Sequence, residues 1–190
     1  MSGDFSRTVA PGIEIRQFRL ADAVPTFALV DRHRDYLRPW LPWVDHTHSP
    51  EEVREFISRA SAQVEDGLGP QTAIWVNGDI HGSLGCHPID WPNRNCSIGY
   101  WIDPELQGQG IVTRCCIVLL GHLFEELHLH RVEIRCGTEN RRSCAIPQRL
   151  GFTLEGVARE AESVGDRWVD LAVWSILDRE WRQRRTVPTG

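Results

Sequence analysis

Lysine is missing altogether: all 21 basic residues are arginine. That excludes any mechanism built on a lysine amine, including a Schiff base or the ammonium of a phosphate-binding P-loop. Biased codon usage accounts for the absence without appeal to function. Cysteine pairs spaced CxxC are also missing, since the six cysteines stand at positions 86, 96, 115, 116, 136 and 144. The start, Met1-Ser2-Gly3-Asp4, carries no charged-then-apolar export signal. A reduced, cytoplasmic protein is expected. Long apolar runs are absent too: the longest aliphatic stretch, from Ile117 to Leu120, falls far short of the roughly 20 residues a membrane span needs. No membrane partner is expected. Excess positive charge is lacking as well. With a net charge of −5 and a pI near 5.9, the chain has no global field to hold a phosphate backbone, so no nucleic-acid partner is expected.

What is present suits one globular α/β domain. The length of 190 residues fits a single core, and 41% hydrophobic with 25% charged residues is the balance of a folded protein. Residues 1–12 are small, polar and Pro/Gly-containing and read as a flexible N-terminus. The fold is expected to occupy residues 13–178, followed by a basic, fraying tail over 179–190. Residues 13–18 alternate as a half-buried strand does, and residues 21–34 suit a helix. Ser49-Pro50-Glu51-Glu52 gives a cap, a first-turn proline and early acids for a second helix reaching about Glu65. Between these helices, Leu37-Arg38-Pro39-Trp40-Leu41-Pro42-Trp43 cannot be a regular helix, and its two tryptophans must cover something apolar. They either roof the core or wall a pocket.

Strand-like runs at 72–76 and 80–89 flank an Asn77-Gly78-Asp79 turn and, with a run at 96–102, predict an antiparallel meander. Gln107-Gly108-Gln109-Gly110 then opens a long helix, whose apolar positions recur from Ile111 to Leu127. A strand over 132–136, a helix over 139–150 closed by Gly151, and strands over 153–158 and 168–177 complete the chain. Glycines at a helix start let an anion approach uncapped backbone N–H groups at the positive end of the helix dipole. A plain tight turn explains such a pair equally well when it stands alone.

The company of this turn is what carries a family. Gln107 and Gly110 match a pyrophosphate loop of the form Gln/Arg, two residues, Gly, one residue, Gly/Ala, with Val112 departing at the last position. Ile98-Gly99-Tyr100-Trp101-Ile102-Asp103 precedes it, and Asn140-Arg141-Arg142-Ser143 and Leu150-Gly151-Phe152 follow in order. Over roughly residues 13–178 the chain resembles the GNAT superfamily of acyl-CoA N-acyltransferases. It looks most like the ribosomal-protein N-terminal acetyltransferase (Rim) type, whose members often carry an apolar residue where Val112 stands.

The resemblance implies a mixed, mostly antiparallel sheet flanked by helices, with central strands that splay to admit the pantetheine arm of acetyl-CoA. Trp101, Ile102 and Asp103 would supply the strand edge. Gln107, Gly108, Gln109, Gly110, Ile111, Val112 and Thr113 would hold the diphosphate, and Asn140 would bond the arm or simply cap its helix. Ser143 falls where relatives place a hydroxyl beside the leaving thiolate and would donate a hydrogen bond to it, with bonding within its own helix as the alternative reading. Many relatives carry Glu just before Ile-Gly-Tyr-Trp, but this chain has Ser97. Glu105 is then the nearest carboxylate for a general base, with Asp103 and His87 in reserve, and a solvated loop acid is its alternative reading. Trp40, Trp43 and His87 are expected on the acceptor side.

Chemistry narrows the acceptor. With reference pKa values of about 7.8 and 10.4, roughly a third of α-amines but about 0.1% of lysines are neutral near pH 7.5. An enzyme without a strong base is suited to α-amines. The expected reaction is acetyl transfer from acetyl-CoA to a protein N-terminus, with a small amine or a non-catalytic acyl-CoA-binding role as alternatives. A homodimer is expected from the habit of Rim-type relatives. The pairs His46/His48 and His128/His130 lack neighbouring ligands at metal spacing, so no metal is expected.

Overall fold

Side chains on a strand alternate between faces, and β3 (Gln71–Val76) shows what this does here. Ile74 and Val76 join one apolar cluster while Ala73 and Trp75 join another on the opposite face. A sheet buried on both sides is the result. The computed structural model describes residues 5–185. In it, eight strands form one sheet in the order β1-β2-β3-β4-β5-β6-β8-β7. These are β1 (Ser6–Ala10), β2 (Ile13–Gln17), β3, β4 (Asp79–Cys86), β5 (Asn95–Ile102), β6 (Arg131–Gly137), β7 (Thr153–Val164) and β8 (Arg167–Leu177). Every neighbouring pair is antiparallel except β5 with β6.

Helices α1 (Ala23–Arg32) and α3 (Pro50–Glu65) cover one face, where Phe18, Leu29, Val53 and Ile57 pack against Ala73, Trp75 and Ile80. The short α2 (Arg34–Leu37) follows α1 after a break at His33. Across the sheet, α4 (Ile111–Gly121) buries Cys115, Cys116, Leu119 and Leu120 against Ile15, Ile74 and Leu84. α5 (Arg141–Leu150) and α6 (Asp178–Arg185) complete the described helices.

Four elements differ from the sequence reading. The sheet begins before Ile13, because residues 6–10, mostly polar, form an edge strand that pairs only with β2. An edge strand needs no apolar signature. The helix after Gly110 does not run regularly to Leu127: residues His122–Glu126 widen into a π-turn. β7 continues past Ala158 to Val164. The expected fraying tail is helical through Arg185, with Trp181 buried against Phe124 and its indole N–H donating to Glu125. Residues 1–4 and 186–190 lie outside the described residues.

Candidate active site

The one parallel ladder stops early. β5 and β6 pair only where Asn95, Cys96 and Ser97 face Arg131, Val132 and Glu133. Beyond that point residues 98–102 bond to β4 alone and residues 134–137 to β8 alone. Two strand edges thus face each other without ladder partners, and backbone groups so placed are a ready template for an extended ligand. A cavity of about 560 Å³ fills the split, lined on one side by Ile98, Gly99, Tyr100 and Trp101 and on the other by Ile134, Cys136, Gly137, Asn140 and Ser143.

Hydroxyl chemistry sits at its waist. The Tyr100 hydroxyl donates to the Ser143 carbonyl at 3.1 Å, and the Ser143 hydroxyl lies 3.4 Å from the Tyr100 oxygen. Burial pushes the Tyr100 phenol well above its ordinary pKa, so it stays protonated. Asn140 caps α5, its Oδ1 accepting from the Ser143 N–H at 3.1 Å, and also lines the cavity. Cys136 and Cys144 meet with sulfurs 3.0 Å apart, and burial raises the Cys136 thiol far above its usual range.

The proline-broken loop over residues 37–43 does wall the cavity. Trp40 packs over Gly137, where an added Cβ would stand 3.8 Å from the ring. Trp43 meets Trp101 with ring centroids 5.9 Å apart. Arg167 holds this loop from β8, its guanidinium over Trp40 and donating to the Pro39 carbonyl at 2.6 Å. His87 lines the same space, with Phe18 and Phe56 from the helical layer.

Sequence reasoning assigned none of the cavity's carboxylates: Glu52 and Glu55 reach it from α3, and the third is Glu162. It lines the cavity from β7, and burial raises its pKa above the ordinary carboxyl value. The register explains its aim. Ala158 pairs with Leu171 and Glu162 with Val169, so residues 159–161 bulge opposite Asp170 alone. The Glu160 N–H donates to the Asp170 carboxylate and holds the bulge. A bulge breaks the two-residue alternation and re-aims the next side chain. The signal available in the sequence was the Gly165-Asp166 turn, which implies a hairpin longer than the segment ending at Ala158.

Glu105 is elsewhere. It is exposed, follows the buried Asp103, and is not among the cavity-lining residues. Ile102 is buried and Asp103 is bonded to His81, so among these three residues Trp101 alone lines the cavity, while the β5 backbone through Ile102 has no ladder partner in β6.

The glycine turn lies outside the split, at the start of α4. Gly108 and Gly110 hold φ of 75° and 71°, and Gly110 caps α4 with no side-chain bond to its first N–H groups. α3 and α5, by contrast, have side-chain caps in Ser49 and Asn140. An uncapped helix start suits an anion. Arginines gather there. Arg142 and Tyr36 both donate to Gln107 Oε1, at 2.5 and 2.8 Å, and Arg149 donates to the Thr113 hydroxyl at 3.4 Å. The sequence reading foresaw the turn but not this cationic rim.

This arrangement is a known one. The acetyltransferase (GNAT) domain family matches residues 13–153, and the chain belongs to that family. YdaF of Bacillus subtilis (strain 168), which carries the provisional name of a ribosomal N-acetyltransferase, is 35% identical over 93% of this chain and 97% of its own. The ribosomal-protein-serine acetyltransferase of Escherichia coli (strain K12) is 26% identical over 90% and 97%. Among solved structures, RimL, a ribosomal L7/L12 α-N-protein acetyltransferase in complex with coenzyme A, superposes with a TM-score of 0.86 at 26% identity, covering 90% of this chain and 96% of that one. The microcin C7 self-immunity acetyltransferase MccE, in complex with acetyl-CoA and AMP, gives 0.84 at 25% identity over 89% and 94%. The protein is an N-acetyltransferase of the GNAT and Rim type. No helix among its described residues is long and apolar enough to cross a membrane.

Proposed function

We propose that the chain transfers the acetyl group of acetyl-CoA to the N-terminal α-amine of a protein, a ribosomal protein being the class its relatives suggest. The observation that carries the reading is the split between β5 and β6, with Ser143 and Glu162 lining one cavity. The pantetheine arm bonds the free strand edges beside Asn140, and the diphosphate rests on the N–H groups from Gly108 to Thr113, neutralised by the neighbouring arginines. RimL in complex with coenzyme A and MccE in complex with acetyl-CoA support this.

In the reaction the amine nitrogen attacks the thioester carbon, the carbon–sulfur bond breaks, and the nitrogen gives up a proton. Glu162, its carboxyl raised by burial, receives that proton through water, a role the exposed Glu105 is poorly placed to fill. Ser143, whose hydroxyl rests against the Tyr100 oxygen at 3.4 Å, turns that hydroxyl to donate to the departing thiolate. An α-amine is already part neutral near pH 7.5 and asks less of a carboxylate base than a lysine does. A second reading, a compact amine acceptor, draws on the aromatic walls of Trp40, Trp43, Phe18 and Phe56 and on the likeness to MccE.

The test presents acetyl-CoA with peptides that have a free N-terminus and internal lysines, and in parallel with small amines. Thiol release is followed, and the acetylated atom is located by mass spectrometry. Label on the N-terminal nitrogen is expected. Label mainly on lysine Nε would overturn the acceptor assignment, and turnover of small amines alone would favour the second reading.

A further inference from the structure

A buried polar cluster stands apart from the cavity, where the end of α1 meets the turn after β5. Asp103 is 2% exposed, and three groups surround it. His81 Nδ1 donates to its Oδ2 at 3.0 Å, and the Glu105 N–H to its Oδ1 at 2.9 Å. His33 Nε2 lies 3.4 Å from Oδ1, yet that nitrogen is buried without a hydrogen-bond partner. A buried ring nitrogen left unpaired is costly, so the near approach without a bond needs a reason.

We propose that His33 Nε2, Asp103 Oδ1 and the Glu105 carboxylate form a site for a divalent cation of the zinc class. The three ligand atoms lie within 4.8 Å of one another. Donors about 2.0–2.1 Å from a tetrahedral zinc stand about 3.3 Å apart, which is the spacing found between His33 and Asp103. Imidazole with two carboxylates is a borderline-to-hard donor set, suited to zinc or cobalt rather than to a thiophilic ion. Glu105 is exposed, so its carboxylate swings in at little cost, and water completes the fourth position.

The outer shell agrees. His81 fixes the orientation of Asp103, as second-shell partners of metal-bound carboxylates do. A cation here ties His33, at the end of α1, to the turn that leads into Gln107. Tyr36, just beyond His33, already reaches Gln107 at 2.8 Å.

The test uses the full chain without an affinity tag, stripped of metal by a chelator and titrated with cobalt(II), then with zinc against a chromogenic chelator. One cation per chain is expected, with visible cobalt bands of a four-coordinate nitrogen and oxygen site. His33→Ala and Glu105→Gln should abolish stoichiometric binding, and His81→Gln should weaken it by about 10- to 100-fold. Should His33→Ala fail to fold in the metal-free state, the exposed Glu105→Gln variant carries the same test. An aquo-like cobalt spectrum, a thiolate charge-transfer band, or binding undiminished in Glu105→Gln would each overturn the proposal. The first outcome would leave His33 and Asp103 as a simple ion pair. Because binding is read directly, the result is independent of whether the acetyl-transfer reading holds.

Discussion

Ser143 and Tyr100 face each other across the split in the sheet, the tyrosine hydroxyl donating to the serine carbonyl at 3.1 Å and the two hydroxyl oxygens standing 3.4 Å apart. β5 and α5 are therefore joined across the cavity, at the residue proposed to donate to the departing thiolate. Serine alone is a poor acid. The buried phenol stays protonated, gives its proton to the Ser143 carbonyl and offers its oxygen to the serine hydroxyl, so the contact positions that hydroxyl rather than acidifying it.

Replacing Ser143 by alanine is expected to lower kcat by about 10- to 1000-fold, the usual range for one transition-state donor. The cap of α5 should survive, since Asn140 binds the Ser143 backbone N–H and not its side chain. Unfolding by heat and acetyl-CoA binding by calorimetry should change little while turnover falls. Near-full turnover in the alanine variant would remove Ser143 from the chemistry.

Glu162 should show itself in pH dependence as well as in rate. Glu162→Gln is expected to lower kcat/KM by about 100-fold or more. In the parent protein, the rate should climb through a carboxyl pKa above the ordinary value. The sign for stability runs opposite to that of a salt-bridged acid. A carboxyl raised in the folded state binds its proton more tightly there, so its contribution is fully present below the unfolded value and is lost as pH rises through the folded one. Glu162→Gln should remove that loss, flattening denaturant midpoints measured across this window. An unchanged midpoint profile together with unchanged rate would count against the assignment.

Gly110 tests the diphosphate turn. Its φ of 71° lies in the left-handed region, and an added Cβ would come 3.3 Å from Arg114 Nη1. Valine there costs about 1–2 kcal/mol in backbone strain and should turn the first N–H groups of α4 away from the ligand. Acetyl-CoA affinity is expected to fall by more than about tenfold for Gly110→Val, measured by calorimetry on folded protein. Gly110→Asn, which tolerates this conformation, should lose much less.

Much of this protein was legible before folding. Local rules sufficed for the glycine turn, the Ser49 and Asn140 caps and the meander over β3, β4 and β5, because capping, turn chemistry and alternation act over a few residues. The loop bearing Trp40 and Trp43 announced itself through prolines that bar a helix and aromatics that must be covered. What the sequence could not display was which carboxylates reach the cavity. Glu105 is near in chain order but exposed and outside the cavity lining, while Glu162 is remote and arrives through a bulge on β7. The hydroxyl contact of Tyr100 with Ser143 and the meeting of His33 with Asp103 likewise join segments far apart along the chain. Those placements depend on where β5 parts from β6 and where α1 ends against β5. Such distances are set by packing of whole elements, which no periodicity of a few residues encodes.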